Sequence, residues 1–176
     1  MLDLNITISK YPYHVDHTGK QYGMIAALNE YTGGLIPGRT LRAYGETIGK
    51  ILDDQHRNAL IPLIPMLAET SPDTDDRVRW VLLHWAIDFL KDHYGFTSSI
   101  RPDMNYYDQR GTLCAEIKAD RDTRGALCST AVAVYTIIGY PTCSAINYLL
   151  TEAARAGKQN ELVDLYEQMA SAGVGK

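Results

Sequence analysis

The sequence predicts an all-α fold, a compact bundle of about six or seven helices with an extended N-terminal arm. Three observations predict it. Apolar residues recur at i, i+3, i+4 and i+7 through most of the chain beyond the arm. Glycines, prolines and capping residues fall between those stretches and punctuate them. And 176 residues, 45% hydrophobic and 22% charged, make one domain with its own core, which excludes a disordered chain, a collagen-like fibre and a disulfide-dense miniature scaffold. Residues 1–20 form the arm and residues 21–174 the helical domain, with an internal linker over 96–111.

The elements follow in order. Leu4 to Ser9 alternates apolar and polar as a short strand does, but one short strand makes no sheet, so it is expected to pack on the body or on a neighbouring subunit. Tyr11 to Gly19 reads as an aromatic-rich loop. Gln21 to Tyr31 reads as a helix stopped by Gly33-Gly34, with a turn through Pro37-Gly38. Thr40 is placed to cap the next helix, whose buried face is Leu41, Tyr44, Ile48, Ile51 and Leu52. Another turn or two runs from Asp53-Asp54 to Ile61; Pro62 then suits a first helical position, and Pro65 keeps that start short or 3₁₀-like.

Thr74 to Tyr94 is the strongest helix. Thr74 stands at its cap, Asp75 and Asp76 suit the positive end of the dipole, and Gly95 supplies a left-handed stop. Val78, Leu82, Trp85 and Phe89 form one apolar stripe, and Trp80, Leu83, Ile87, Leu90 and Tyr94 a second. Only Arg77, His84, Asp88, Lys91 and Asp92 remain as a polar strip, so the helix is expected at the centre, with Arg79 in need of a partner. Residues 96–111 look irregular, and Leu113 to Lys118 is ambiguous. Asp122 to Ile138 reads as helix despite its β-branched residues, up to a break at Gly139-Tyr140-Pro141. Thr142 caps a helix ended by Gly157, Asn160 caps Glu161 to Ala170, and residues 173–176 are expected to fray.

Chemistry is harder to find. A net charge of −4, with Arg121 and Arg124 interrupted by Asp120 and Asp122, offers no basic field for nucleic acid or anionic lipid. Cys114, Cys128 and Cys143 contain no CxxC and read as reduced thiols of a cytoplasmic protein. Met1-Leu2-Asp3-Leu4 lacks the basic start of a signal peptide, and no run approaches the roughly 18 apolar residues of a membrane span. There is no G-x-S-x-G elbow and no phosphate-binding glycine loop, since Gly33 to Gly38 lacks the lysine ending. Nothing local lowers the pKa of Cys114 or Cys128.

Two constellations can be weighed for metal. His14-x-x-His17 around Asp16 sets two imidazoles and a carboxylate within a turn, as zinc would accept, although a third protein ligand must come from elsewhere. His84 and Asp88 stand one helical turn apart, a general-base or metal pair, or simply a water-facing strip. No cofactor is expected. The compositional excess is tyrosine, 12 residues against two phenylalanines. Tyr11, Tyr13, Tyr106 and Tyr107, with Arg110 beside the last two, are the expected partner-binding residues, because tyrosine and arginine carry much of the energy at protein interfaces. The alternative is tyrosines half-buried at the domain edge with hydroxyls in water.

Two resemblances add to this. Tyr148-Leu149-Leu150, Ala154, Gly157, Leu162, Leu165-Tyr166, Met169 and Gly173-Val174 make residues 142–174 resemble a single pentatricopeptide-type hairpin. That implies two antiparallel helices; arrays of such hairpins read single-stranded RNA, but no second copy follows here. Residues 39–94 resemble a group of uncharacterised actinobacterial helical proteins, through Asp53-Asp54, Arg57, Leu60, Ile61-Pro62, Ile64-Pro65, Leu67, Thr70, Asp76-Arg77 and Trp80 to Asp88. That resemblance implies a helical fold and a bacterial or phage source, and carries no catalytic residues. The functional expectation is a non-enzymatic module, a bacterial or phage accessory or inhibitor protein, that binds protein, either a second copy or a host or phage component. The alternatives are a metal-dependent enzyme using His14, His17, His84 and Asp88, and single-stranded RNA binding through the hairpin.

Overall fold

The computed structural model describes residues 2–34, 37–124 and 129–175, with side chains except those of 121–124. Strands β1 (Thr7–Ser9) and β2 (Gln21–Gly23) precede helices α1 (Met24–Thr32), α2 (Arg39–Ile51), α3 (Asp54–Asn58), α4 (Ile64–Ala68), α5 (Asp75–Tyr94), α6 (Tyr106–Arg124), α7 (Ser129–Gly139), α8 (Cys143–Arg155) and α9 (Gln159–Gly173). Helices α3 and α4 are single turns of five residues, each beside a 3₁₀ turn or a proline-led start, and the rest form the all-α body. Among the described residues no helix is long and apolar enough to cross a membrane.

Helix α5 occupies the centre. Val78, Leu82, Leu83, Ala86, Phe89 and Leu90 are buried, and the helix touches α9, α7 and α2. Its polar strip, Arg77, His84, Asp88, Lys91 and Asp92, faces water, and Arg79 finds its partner one turn back in Asp76. Gly95 ends the helix at φ 63°, a conformation that glycine takes without the steric cost of a Cβ.

The core closes around two stacked tyrosines. Tyr44 of α2 and Tyr166 of α9 lie with ring centroids 4.8 Å apart. Each hydroxyl donates across to the other helix, Tyr44 to the Leu162 carbonyl at 2.7 Å and Tyr166 to the Leu41 carbonyl at 3.2 Å. Burial raises the pKa of both phenols, so both remain neutral donors. The rings fit because α2 carries Gly45, where a Cβ would come within 2.6 Å of the Tyr166 hydroxyl.

Several expectations are corrected, most of them by a partner distant in sequence. The arm does form a sheet: β1 pairs in parallel with β2, Ile8 opposite Tyr22, so residues 21–23 are strand rather than the first turn of a helix. Gly23 permits this, because a Cβ there would lie 1.9 Å from the Tyr11 carbonyl oxygen. The Pro12 carbonyl then accepts the amides of Ile25 and Ala26 at the start of α1. Thr40 does not cap α2; Asp75 at the head of α5 accepts the Thr40 amide at 2.7 Å. Thr74 holds the cap position of α5, but its hydroxyl donates to the Ser71 and Gly173 carbonyls instead. Thr142 does cap α8 through the Ala145 amide. Asn160 does not cap α9, which already begins at Gln159.

Gly173 and Val174 do not fray: the Ser71 amide bonds the Gly173 carbonyl, and Val174 bridges Thr70. Residues 106–111 are helical, and Asn105 accepts the Asp108 amide at 3.0 Å in the manner of an N-cap. The remaining irregular stretch is tied to α6, where Glu116 accepts the Ser99 amide and hydroxyl at 2.7 and 2.6 Å. The helix expected over 122–138 includes residues 125–128, Cys128 among them, which lie outside the described residues, as do Leu35 and Ile36 of the Gly33 to Gly38 turn and Lys176 at the expected frayed end.

Candidate partner-binding surface

The metal candidates occupy ordinary local roles. Asp16 organises its own turn, accepting the Thr18 hydroxyl and the Gln21 and Lys20 amides, and these bonds hold its carboxyl well below the usual range. His14 is half-buried beside the Tyr11 ring and His17 is exposed. His84 and Asp88 face each other at 3.8 Å on the watered strip of α5. Among the described residues no three His, Cys, Asp or Glu side chains gather as a metal site would need.

The partner-binding candidates are brought together more closely, by the start of α6 and the turn after α7. Arg110 stands one turn beyond Tyr106 on α6 and donates to the Tyr106 hydroxyl at 2.8 Å. It also donates to the Tyr135 hydroxyl of α7 at 3.1 Å, with its guanidinium 5.2 Å from that ring. Tyr107 meets Tyr106 edge to face and is 81% exposed. Tyr106 and Arg110 lie against Gly139, the last residue of α7.

One residue on, Tyr140 carries the surface over to α2, with the Arg39 guanidinium 4.2 Å from its ring. Pro141, Thr142 and Cys143 then line a shallow cleft of about 460 Å³ with Arg39, Arg42 and Glu46. Glu46 is the hub: it accepts from the Tyr13 hydroxyl, from Arg42 Nε at 3.0 Å and from the Cys143 thiol at 2.8 Å. Burial acts to raise the Glu46 pKa, but these donors outweigh it and hold the carboxyl below its ordinary value. Burial, with Glu46 beside it, pushes the Cys143 thiol up to about 11, so this sulfur is a donor and no nucleophile.

Tyr13, Tyr106, Tyr107 and Arg110 thus belong to one ridge running from the α6 start over Gly139 and Tyr140 to α2 and the arm. Tyr11 does not join it; its ring sits with Lys10 and His14 further along the arm. Sequence reasoning missed Arg39, Arg42, Glu46, Tyr135 and Tyr140. Arg42 and Glu46 had a signal, the i,i+4 spacing of an ion pair on a helix. Tyr140 had one too, an aromatic in a Gly-Tyr-Pro break where burial is scarce. No protein family, curated protein or solved structure matches the chain.

Proposed function

We propose that this chain is a non-enzymatic helical module that binds protein through the tyrosine–arginine ridge. One observation carries the reading: Tyr13, Tyr107 and Tyr140 are exposed by 53%, 81% and 52%, while Tyr13 and Tyr140 are held in place by Arg42, Glu46 and Arg39 and Tyr107 packs edge-on against Tyr106. Tyrosine offers a large apolar face with a polar tip, and a side chain already held by its neighbours loses little freedom when a partner covers it. In the core, by contrast, the Tyr44 and Tyr166 hydroxyls are spent on backbone carbonyls. Free thiols at Cys114 and Cys143 favour a reducing, cytoplasmic setting.

Site-specific photocrosslinking tests the reading. Benzoylphenylalanine at position 107 or 140 is expected to yield a discrete protein adduct in cells that carry the gene, whereas the same group at position 84 on the polar strip yields none. Equal yields at all three positions would remove the ridge as the contact surface.

A further inference from the structure

The arginines with described side chains fall into two sets. Arg42, Arg57, Arg79, Arg101 and Arg155 each meet a carboxylate within four residues of themselves. Arg39, Arg77 and Arg110 meet none among the described residues. All three lie along the same surface. Arg39 and Arg110 are on the ridge, held by tyrosine rings and hydroxyls, which orient a guanidinium without neutralising it. Arg77 lines a groove of about 600 Å³ between α5 and α6 that opens against the ridge at Tyr106.

That groove has an apolar stretch, edged by Asp76, Arg79, Asn105 and Gln109 as well as Arg77. Trp80 and Leu83 of α5 line it from one side, and Met104 and Tyr106 from the other. Tyr106 joins the two features, since it lines the groove and its hydroxyl accepts from Arg110.

We infer that the segment bound here is an acidic peptide with one bulky apolar anchor, the anchor seated in the groove and its carboxylates laid over Arg110 and Arg39. The inference rests on the protein-binding reading above and names the partner's chemistry. Charge complementarity carries it: a planar guanidinium with N–H groups to spare takes a carboxylate in paired bonds, and such a pair gains strength once the partner excludes water.

A random peptide display library panned on the full chain provides the test. Selected peptides are then measured by fluorescence anisotropy against the unmodified chain and R39A, R110A and Y107A, with thermal melts to confirm folding. The selected pool is expected to be rich in Asp and Glu next to a single Phe, Trp or Leu, and R39A and R110A are each expected to weaken binding about ten-fold. Peptides without an acidic excess that still depend on Tyr107 would overturn the acidic partner and leave the protein-binding reading standing. Selection of no peptide that depends on the ridge would overturn both. A labelled oligouridine bound more tightly than any peptide, and lost in R110A, would replace the peptide with nucleic acid. A dimer by light scattering that Y107A dissociates would replace it with a second copy.

Discussion

Two groups of tyrosines stand in opposite settings in this protein, and the contrast separates what holds the fold from what the fold presents. At the α2–α9 crossing, Tyr44 and Tyr166 are fully buried, stacked, and bonded to backbone carbonyls of the opposing helix. On the ridge, Tyr13, Tyr106, Tyr135 and Tyr140 meet the guanidiniums of Arg42, Arg110 and Arg39, with solvent on one side. The same side chain is a structural rivet where its hydroxyl meets a backbone carbonyl in the core, and an exposed, arginine-held surface group on the ridge. Burial decides which, through the apolar area removed from water and the cost of leaving a polar atom unpaired.

The comparison breaks most readily at the rivet. Tyr166→Ala empties a site with no solvent access and is expected to cost about 3–5 kcal/mol, read as a lower urea midpoint; a loss below about 1 kcal/mol would show that the crossing is not the keystone described. Tyr44→Phe keeps the ring and removes one hydroxyl whose acceptor retains its helical bond, so about 1 kcal/mol is expected. Acidification tests the arm. Asp16 has a folded pKa below its unfolded value of 3.8, so its contribution is present above that value and fades as pH falls below it. The protection factors of the Lys20 and Gln21 amides, whose N–H groups it accepts, should therefore fall below that pH, and Asp16→Ala should show the low protection at every pH. The smallest effect belongs to the ridge: Tyr107→Ala is expected to leave stability within about 0.5 kcal/mol while abolishing the crosslink from position 140, and a larger loss would make Tyr107 part of the core after all.

What could be read in advance divides by distance along the chain. The long α5, its Gly95 stop, its polar strip and the Thr142 cap were legible because each depends on residues within a few turns of one another. The pairing of β1 with β2 was not, since residues 21–23 belong by composition to the helix that follows them. Nor was the cap on α2, where Asp75 acts across 35 positions, or the use of Thr74, whose second acceptor is 99 positions away. The ridge was half legible. Tyr106, Tyr107 and Arg110 stood out as types, but Gly111 and the paired tyrosines disguised a helix that Asn105-x-x-Asp108 announces. Nothing in the order of residues joins Arg39 to Tyr140, because α2 and α8 meet only in three dimensions.

Helix α9 packs against α5, α2, α8 and α4, and its last residues clasp the turn before α5. During synthesis, the faces that α9 will cover leave the ribosome long before their lid. A nascent chain ending near residue 158 would expose Leu41, Tyr44 and the apolar side of α5 at once, a surface that chaperones hold and proteases cut. Arrest of translation just before and just after α9 emerges, followed by limited proteolysis, would therefore mark an abrupt gain of resistance rather than a gradual one.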